Sequence, residues 1–362
     1  MIARIAAGIA LAAIAAGLPG ARAEGGGLPS GSIRIAFAGD THGYRVVDNP
    51  SLADEDLLGG VRPVLGKADL FVFNHEGTLI DGADVKANCQ TFSNQSTFAV
   101  DPVFAERLDA GVPMVASLAN NHAMDCGTAG LKRTLAAFGE AGIAHAGAGM
   151  DRTEACAPLA LEANGIDVAF VSYLEQDPGT IIPDLAATDA RPGVATIAEC
   201  DAAAAIAALD TFDVVIVLLH AHWGSSWVYG GAPEHVAAVE DLLAWGADLV
   251  VSSGPHMPQG ALTDGPEGSL AFMGVGNFMF RQDAPLPFAA RQSMLALVEI
   301  ERSAVERAWL YPIAVGADGL PRLADSSADD IVALVDALSA QYDSGIVRLK
   351  RLGLAFPARG AP

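Results

Sequence analysis

Ile33-Arg-Ile-Ala-Phe-Ala-Gly-Asp40 opens the folded part of the chain and sets its class. A short apolar run that breaks at a glycine and a carboxylate reads as a buried strand ending in a polar turn. The signature returns at Leu70-Phe-Val-Phe73, which ends at Asn74, and at Val112–Leu118, which ends at Asn120-Asn121-His122. It returns again at Val168–Ser172, at Val214–Leu219 before His220-Ala-His222, and at Asp248–Ser252 ahead of Pro255-His256. Helical spacing separates several of these strands. Leu131, Leu135, Ala136 and Phe138 predict a helix over Gly127–Glu140, stopped by Gly142. Asp201 is expected to cap a helix reaching Leu209, and Pro233 to open one that runs to about Trp245.

Strands alternating with helices define an α/β protein, and near-continuous apolar strands suit a sheet covered on both faces. Further strands are expected at Ser269–Met273, Met294–Ile300 and Ala308–Ile313, with a final helix over Asp329–Ser344. No internal repeat or long linker interrupts the pattern. One domain over 33–345 is the simplest reading, with an irregular connection at 314–327 and a C-terminal tail at 346–362.

Outside that frame lies the N-terminus. Met1–Arg4 is a short basic start, Ile5–Leu18 is apolar, and Ala21-Arg-Ala23 places small residues at cleavage-site positions. This is the pattern of a secretory signal peptide over 1–23, with an uncleaved anchor as the competing reading. Residues 24–32 read as a flexible leader. The apolar run is short for a membrane span, which needs about 20 residues, and no later run is longer. A periplasmic or secreted location is therefore expected.

The net charge of -22 argues against nucleic acid, which needs clustered Lys and Arg. Acidity favours solubility, and a polyanionic substrate would require a metal to reverse the local field. Cys89, Cys126, Cys156 and Cys200 permit two disulfides in an exported chain. Of the three pairings, chain order favours Cys89–Cys126 and Cys156–Cys200.

The strand ends concentrate the polar chemistry. Asp40 and His42 follow the first, Asn74 and Glu76 the second, and Asn120, Asn121 and His122 the third; His220 and His222 follow a fourth and His256 a fifth. In open α/β sheets the carboxyl ends of the strands form the binding crevice. Taken singly, Asp40 is an ordinary turn residue and the asparagines are helix caps; as a set, they suit a divalent metal site. Mixed oxygen and imidazole ligands fit zinc, manganese or iron without choosing among them. His145 reads as structural, His235 as solvent-facing, and His75 as pointing to the other side of its strand. A serine-hydrolase elbow, Gly-x-Ser-x-Gly, is missing.

Several segments in order resemble bacterial capsule-synthesis proteins of the CapA (poly-gamma-glutamate) type, within the metallophosphatase-like superfamily. They are Phe37–Asp40, Asn74–Gly77, Ser117–His122 with Asp125 and Gly127, and Ala141–Gly149. They continue with His222–Gly224, Gly246–Val251 with Pro255-His256, and Gly276–Phe278. The resemblance implies a four-layer α/β/β/α sandwich of the metallo-dependent phosphatase type. It implies that Asp40 and His42 bind a first metal, that Glu76 bridges, and that Asn121 and His222 bind a second. It places His256 on the first metal and His122 beside the leaving group, with Asp40 and His122 as the catalytic pair. Two positions depart from the pattern. Gly254 stands where the family commonly has a second His, and Ser226 where it often has Glu. His220 would then substitute, because alternate strand residues share a face.

The expected function is metal-dependent hydrolysis, of a phosphoester or an amide, by one or two divalent ions in capsule or exopolymer biosynthesis. The alternative is a non-catalytic accessory protein that binds an envelope polymer or its synthase, since fold does not imply activity. Expected partners are an anionic polymer or phosphoester substrate and a polymer synthase complex.

Overall fold

The computed structural model describes residues 31–89, 96–176, 185–222, 229–264, 269–281, 286, 288–301, 304–325, 327–342, 347–348 and 354–355. The expected signal peptide and nearly all of the expected leader lie outside them.

Two sheets face each other. In the first, strand Ser32–Thr41 pairs in parallel with Leu70–His75, which pairs in parallel with Met114–Ser117. On its other side Ser32–Thr41 pairs antiparallel with Gln292–Glu301, which pairs antiparallel with Ala304–Val315. In the second sheet, Val214–His222 lies between Ile166–Gln176 and Leu249–Ser253, parallel to both. Ser269–Phe272 extends it in parallel beyond Leu249–Ser253.

The period-2 alternation of each strand builds the layers. Ile33, Ile35, Phe37, Leu70 and Val72 meet Phe170, Ile216, Leu218, Leu249 and Val251 in a core between the sheets. Ala36, Phe71 and Phe73 turn outward onto Leu131, Ala137 and Phe138 of helix Gly127–Glu140. Val215, Val217 and Val250 turn the opposite way onto Ile206, Val239 and Leu242, on helices Ala202–Ala207 and Pro233–Ala244. The fold is thus the α/β/β/α sandwich expected from the resemblance.

Helix Gly127–Glu140 has the predicted bounds, and Gly142 follows it with φ 70. The other boundaries differ from the sequence reading by a few residues. Asp201 does precede its helix, but its backbone is left-handed (φ 46) and its side chain makes no capping bond. A capping side chain needs extended backbone to reach the first-turn N–H groups. The connection over 314–327 is not irregular throughout, because the long strand runs to Val315 and Pro321–Leu323 pairs back onto it. The final helix is Ala328–Ser339 with a 3-10 turn to Tyr342, and residues 343–344 lie outside the described set. Beyond 345, Val347–Arg348 and Leu354–Ala355 pair with each other, and Ala355 with Trp309. Cys89–Cys126 and Cys156–Cys200 are both bonded, as chain order favoured. Among the described residues no helix is long and apolar enough to cross a membrane.

His235 is a correction. It is 2% exposed rather than solvent-facing. Its helix buries His235, Val239, Leu242 and Leu243, an i, i+4, i+7, i+8 stripe in which the imidazole occupies a core position. Burial pushes its pKa down to about 4. The unfolded chain protonates this group near 6.5 while the folded chain resists, so stability falls as pH drops through that window. Between pH 7 and pH 5 the loss attributable to His235 should be about 2 kcal/mol. Urea midpoints at the two pH values should move apart less in His235→Gln than in the parent; equal spacing would contradict the assignment.

Candidate metal centre

The site forms where the carboxyl ends of the parallel strands meet across the sandwich. Alternation explains most of it. His220 shares the face of Val214, Ile216 and Leu218, so it faces the first sheet. Asn74 shares the face of Leu70 and Val72, while His75 shares that of Phe71 and Phe73. His75 accordingly packs on Phe104 and Phe138, with ring centroids 5.6 and 5.0 Å away, and burial pushes its pKa down to about 3.

Asp40 needs a second device. Counting by twos from Ile33 would aim it at the helices with Ala36 and Ala38. The register shifts between Ala38 and Asp40, as at a β-bulge, and the shift turns Asp40 into the inter-sheet space. Gly39 makes this possible, since any side chain there would overlap the carbonyl oxygen of Gly276, which accepts from Asp40 N at 3.1 Å.

Asp40 is fully buried and well held. Asn74 Nδ2 donates to its Oδ1 at 2.9 Å, Gly254 N to its Oδ2 at 3.2 Å, and His256 Nδ1 lies 3.2 Å from Oδ2. Burial pushes Asp40 up; the bond and charge of His256, the charge of His220 and the Asn74 bond outweigh it and leave its pKa at about 2.

Glu76 is the opposite case. It is also fully buried, yet neither carboxylate oxygen has a hydrogen bond among the described residues. Oε1 lies 3.7 Å from His220 Nε2 and Oε2 lies 3.8 Å from His256 Nδ1. Burial first, then the charges of Asp40 and Asp125, push its pKa well above the usual carboxylate range. A buried carboxylate without a partner is costly unless a proton or a cation satisfies it.

Asp40, Glu76 and His256 each present a donor atom within 4.8 Å of the others. Asn121, beside His122 in sequence, carries a buried amide oxygen, Oδ1, that also lacks a hydrogen bond among the described residues. Two carboxylates, an amide oxygen and imidazoles fit a divalent transition metal. His256 has φ 61, an uncommon conformation for a residue with a side chain, and its Nδ1 also meets Asn277 Oδ1 at 3.0 Å.

His220 is held by Asn74 Nδ2 at 3.1 Å and Ser253 Oγ at 3.2 Å, with Nδ1 3.8 Å from Asp40 Oδ1. It sits where a side chain at 254 would go. A Cβ on Gly254, whose φ is 103, would meet Ala221 O at 2.5 Å and His220 Nε2 at 3.1 Å. His222 ends its strand with its backbone opposite Gln176; its side chain and Ser226 lie outside the described residues.

His42 stands beside this group in an aromatic sandwich. Phe98 stacks on its ring at 4.3 Å and Phe280 tilts against it at 4.2 Å. Its Nδ1 accepts from Tyr44 N at 3.2 Å, and its Nε2 is buried without a hydrogen bond among the described residues. Burial, then the charges of His122, His75 and His256, hold its pKa well below normal.

Asn121, His122 and His256 are the least buried of these site residues, at 8%, 6% and 6%. His122 Nδ1 lies 2.9 Å from Asp125 Oδ2, which also accepts from Phe98 N at 2.7 Å. Asn120 caps no helix; its Nδ2 donates to His75 O at 2.7 Å and its Oδ1 accepts from His122 N at 3.1 Å.

Strand-end reading left Asp125, Ser253 and the role of Asn277 unassigned. The resembling segments already contained Asp125 and Asn277, and the i, i+3 spacing of His122 and Asp125 was a local signal for their pairing.

The family model for the bacterial capsule synthesis protein PGA_cap matches residues 34–282, well over half of the chain and all of the residues above. The chain belongs to the PGA_cap family.

Among curated relatives of this PGA_cap protein is a probable polyglutamine synthesis accessory protein of Mycobacterium tuberculosis. It is 33% identical over 200 residues, 53% of this chain and 50% of the relative. The PGA biosynthesis protein CapA of Bacillus subtilis is 25% identical over 289 residues, covering 78% of this chain and 71% of its own. The capsule biosynthesis protein CapA of Bacillus anthracis is 28% identical over 173 residues, 46% and 40% respectively. The chain thus spans about half the length of the first of these relatives. A crystal structure of TT1561 of Thermus thermophilus aligns over 74% of this chain and 98% of its own, at 10% identity and a TM-score of 0.38.

Proposed function

We propose that this family member is an exported, metal-dependent hydrolase of capsule or exopolymer biosynthesis, acting on a phosphoester or an amide. The observation that carries the reading is Glu76, a fully buried carboxylate whose two oxygens have no hydrogen bond among the described residues, set between His220 and His256 and close to Asp40. Asp40, His42, Glu76, Asn121, His220, His222 and His256 are the residues proposed to hold one or two ions of zinc, manganese or iron. Such an ion supplies Lewis acidity, lowering the pKa of water and stabilising charge on a phosphoryl or carbonyl oxygen.

The chain's own residues do the rest. Asn74 and Gly254 N fix both oxygens of Asp40, so its orientation is set before any ligand arrives. Asn277 does the same for His256. Asp125 fixes the ring of His122 through Nδ1 and leaves Nε2 to carry the proton given to the leaving group. Phe98 and Phe280 close one side of the site and exclude water there. Residues 1–23 support export to the periplasm or beyond. An anionic polymer, a phosphoester and a polymer synthase complex are the proposed partners; the charge of -22 disfavours nucleic acid.

The test is turnover by the purified protein, loaded in turn with zinc, manganese and iron, on a panel of phosphoesters and γ-linked glutamyl peptides. Hydrolysis of at least one, abolished by chelator and restored by metal, is expected. A metal-loaded protein that hydrolyses nothing would move the assignment to a non-catalytic accessory role, the reading favoured by the name of the mycobacterial relative.

A further inference from the structure

We infer that the Cys89–Cys126 disulfide is a positioning element of the proposed site: it holds Asp125, and through Asp125 the ring of His122, in the orientation from which His122 serves a leaving group. The inference rests on the hydrolase reading and adds to it a pair of residues that touches neither metal nor substrate.

The two ends of this disulfide differ in kind. Cys89 closes helix Gly82–Asn88, its N–H donating to Val85 O at 2.9 Å. No residue of that helix is buried, so it adds nothing to the core. Asp81, just before it, meets Arg133 at 3.2 Å in a solvent-exposed ion pair, an interaction that contributes little. The covalent bond at Cys89 is thus the strongest restraint on this helix among the described residues. Cys126, by contrast, is fully buried, next in sequence to Asp125 and immediately before helix Gly127–Glu140. Gly130 lets the Cys126 and Thr78 side chains close over that helix, since a Cβ there would overlap both.

The segment His122–Cys126 has three fixed points. Thr78 Oγ1 lies 2.8 Å from His122 O and 3.1 Å from Ala123 O. Asp125 Oδ2 accepts from Phe98 N at 2.7 Å and meets His122 Nδ1 at 2.9 Å. The sulfur of Cys126 is bonded to Cys89. Only the last is covalent, and it acts one residue from the carboxylate that sets the imidazole. One oxygen of Asp125 therefore joins two parts of the site, because Phe98 also stacks on His42 at 4.3 Å and lies 4.5 Å from the ring of His122. With the sulfur bond gone, the backbone of Asp125 is free to shift, and its Oδ2 can no longer keep Phe98 N and His122 Nδ1 together. A displacement of about 1 Å in a group that must meet a reacting atom can cost about 10²-fold in rate. The second disulfide makes the contrast. Cys156 and Cys200 pack on the outer core of the second sheet, the face opposite to His220.

The experiment compares the parent, Cys89→Ala and Cys156→Ala, each loaded with metal. Cys89→Ala leaves the buried sulfur of Cys126 in place. An alkyl phosphoester and a nitrophenyl phosphoester are the substrates, with metal content and amide hydrogen exchange at Phe98 measured alongside. In Cys89→Ala the alkyl ester should be hydrolysed about 10–100-fold more slowly, the nitrophenyl ester should change by less than about twofold, and metal content should hold. Phe98 N–H should exchange faster. Cys156→Ala should leave the ratio of the two substrates and the Phe98 exchange as in the parent. If Cys89→Ala does not fold, the double variant Cys156→Ala, Cys200→Ala, which keeps this disulfide alone, is reduced after folding with a phosphine and gives the same comparison. Equal losses on the two esters, parent rates on both, parent exchange at Phe98, or the same selective loss in Cys156→Ala would overturn the inference. The exchange readout separates it from the hydrolase reading. In a parent that hydrolyses nothing, faster exchange in Cys89→Ala retains the hold on Asp125 and removes the hydrolase alone, while unchanged exchange removes both.

Discussion

Replacing His122 by Ala should cut hydrolysis of a substrate with a poor leaving group by about 10²–10⁴-fold while metal content stays at the parent level. His122 is 6% exposed, among the least buried of the site's polar residues, and its Nδ1 is committed to Asp125 at 2.9 Å. Only Nε2 remains to serve a substrate. A proton donor matters in proportion to the basicity of the departing oxygen or nitrogen. The loss should therefore be large for an alkyl phosphoester or a peptide bond and small for a nitrophenyl ester, which departs without a proton. Asp125→Asn should follow the same order with a smaller effect, because it loosens the ring without removing it. Equal losses on both leaving groups, or loss of metal from the His122 variant, would contradict the assignment.

Gly39→Ala should destabilise the fold by several kcal/mol, enough to leave little soluble native protein. The new methyl would overlap the carbonyl of Gly276, whose oxygen accepts from Asp40 N, and press on the side chain of Val275. Relief would require the first strand to move away from Gly276, taking Asp40 out of reach of Asn74 and Gly254. Gly139→Ala makes the contrasting control. It lies within helix Gly127–Glu140 with nothing within 4 Å of its Cβ position, so it should be neutral or stabilise by about 0.5–1 kcal/mol. Chemical denaturation of the two variants reads the difference, and a Gly39→Ala protein as stable as the parent would show that the bulge does not set Asp40.

These two glycines also show where sequence reading reached and where it stopped. The strands were legible because apolar runs such as Leu70–Phe73 and Val214–Leu219 are continuous and end in polar turns. Alternation also put His75 on the other side of its strand end, where it lies, and offered His220 as a substitute ligand by placing it on the face of His222, whose side chain lies outside the described residues. It could not foretell Asp40, since the bulge at Gly39 reverses the count and depends on Gly276, more than two hundred residues away. His235 was open to a correct reading and went wrong, because a polar residue on the stripe of Val239, Leu242 and Leu243 was taken for a surface residue. The aromatic sandwich around His42 joins Phe98 and Phe280 from distant segments, and no local pattern marks it. Gly254 was visible as an absent ligand, but only the packing shows that His220 occupies the space a side chain would have taken.

The central claim is that the buried cluster around Glu76 exists to hold a divalent ion. Elemental mass spectrometry of the protein purified without chelator tests it most directly, with Asp40→Ala and His256→Ala variants beside it. About one or two equivalents of zinc, manganese or iron in the parent, lost from both variants while their circular dichroism matches the parent, is the predicted result. A parent that holds no metal even after incubation with all three ions would contradict the account.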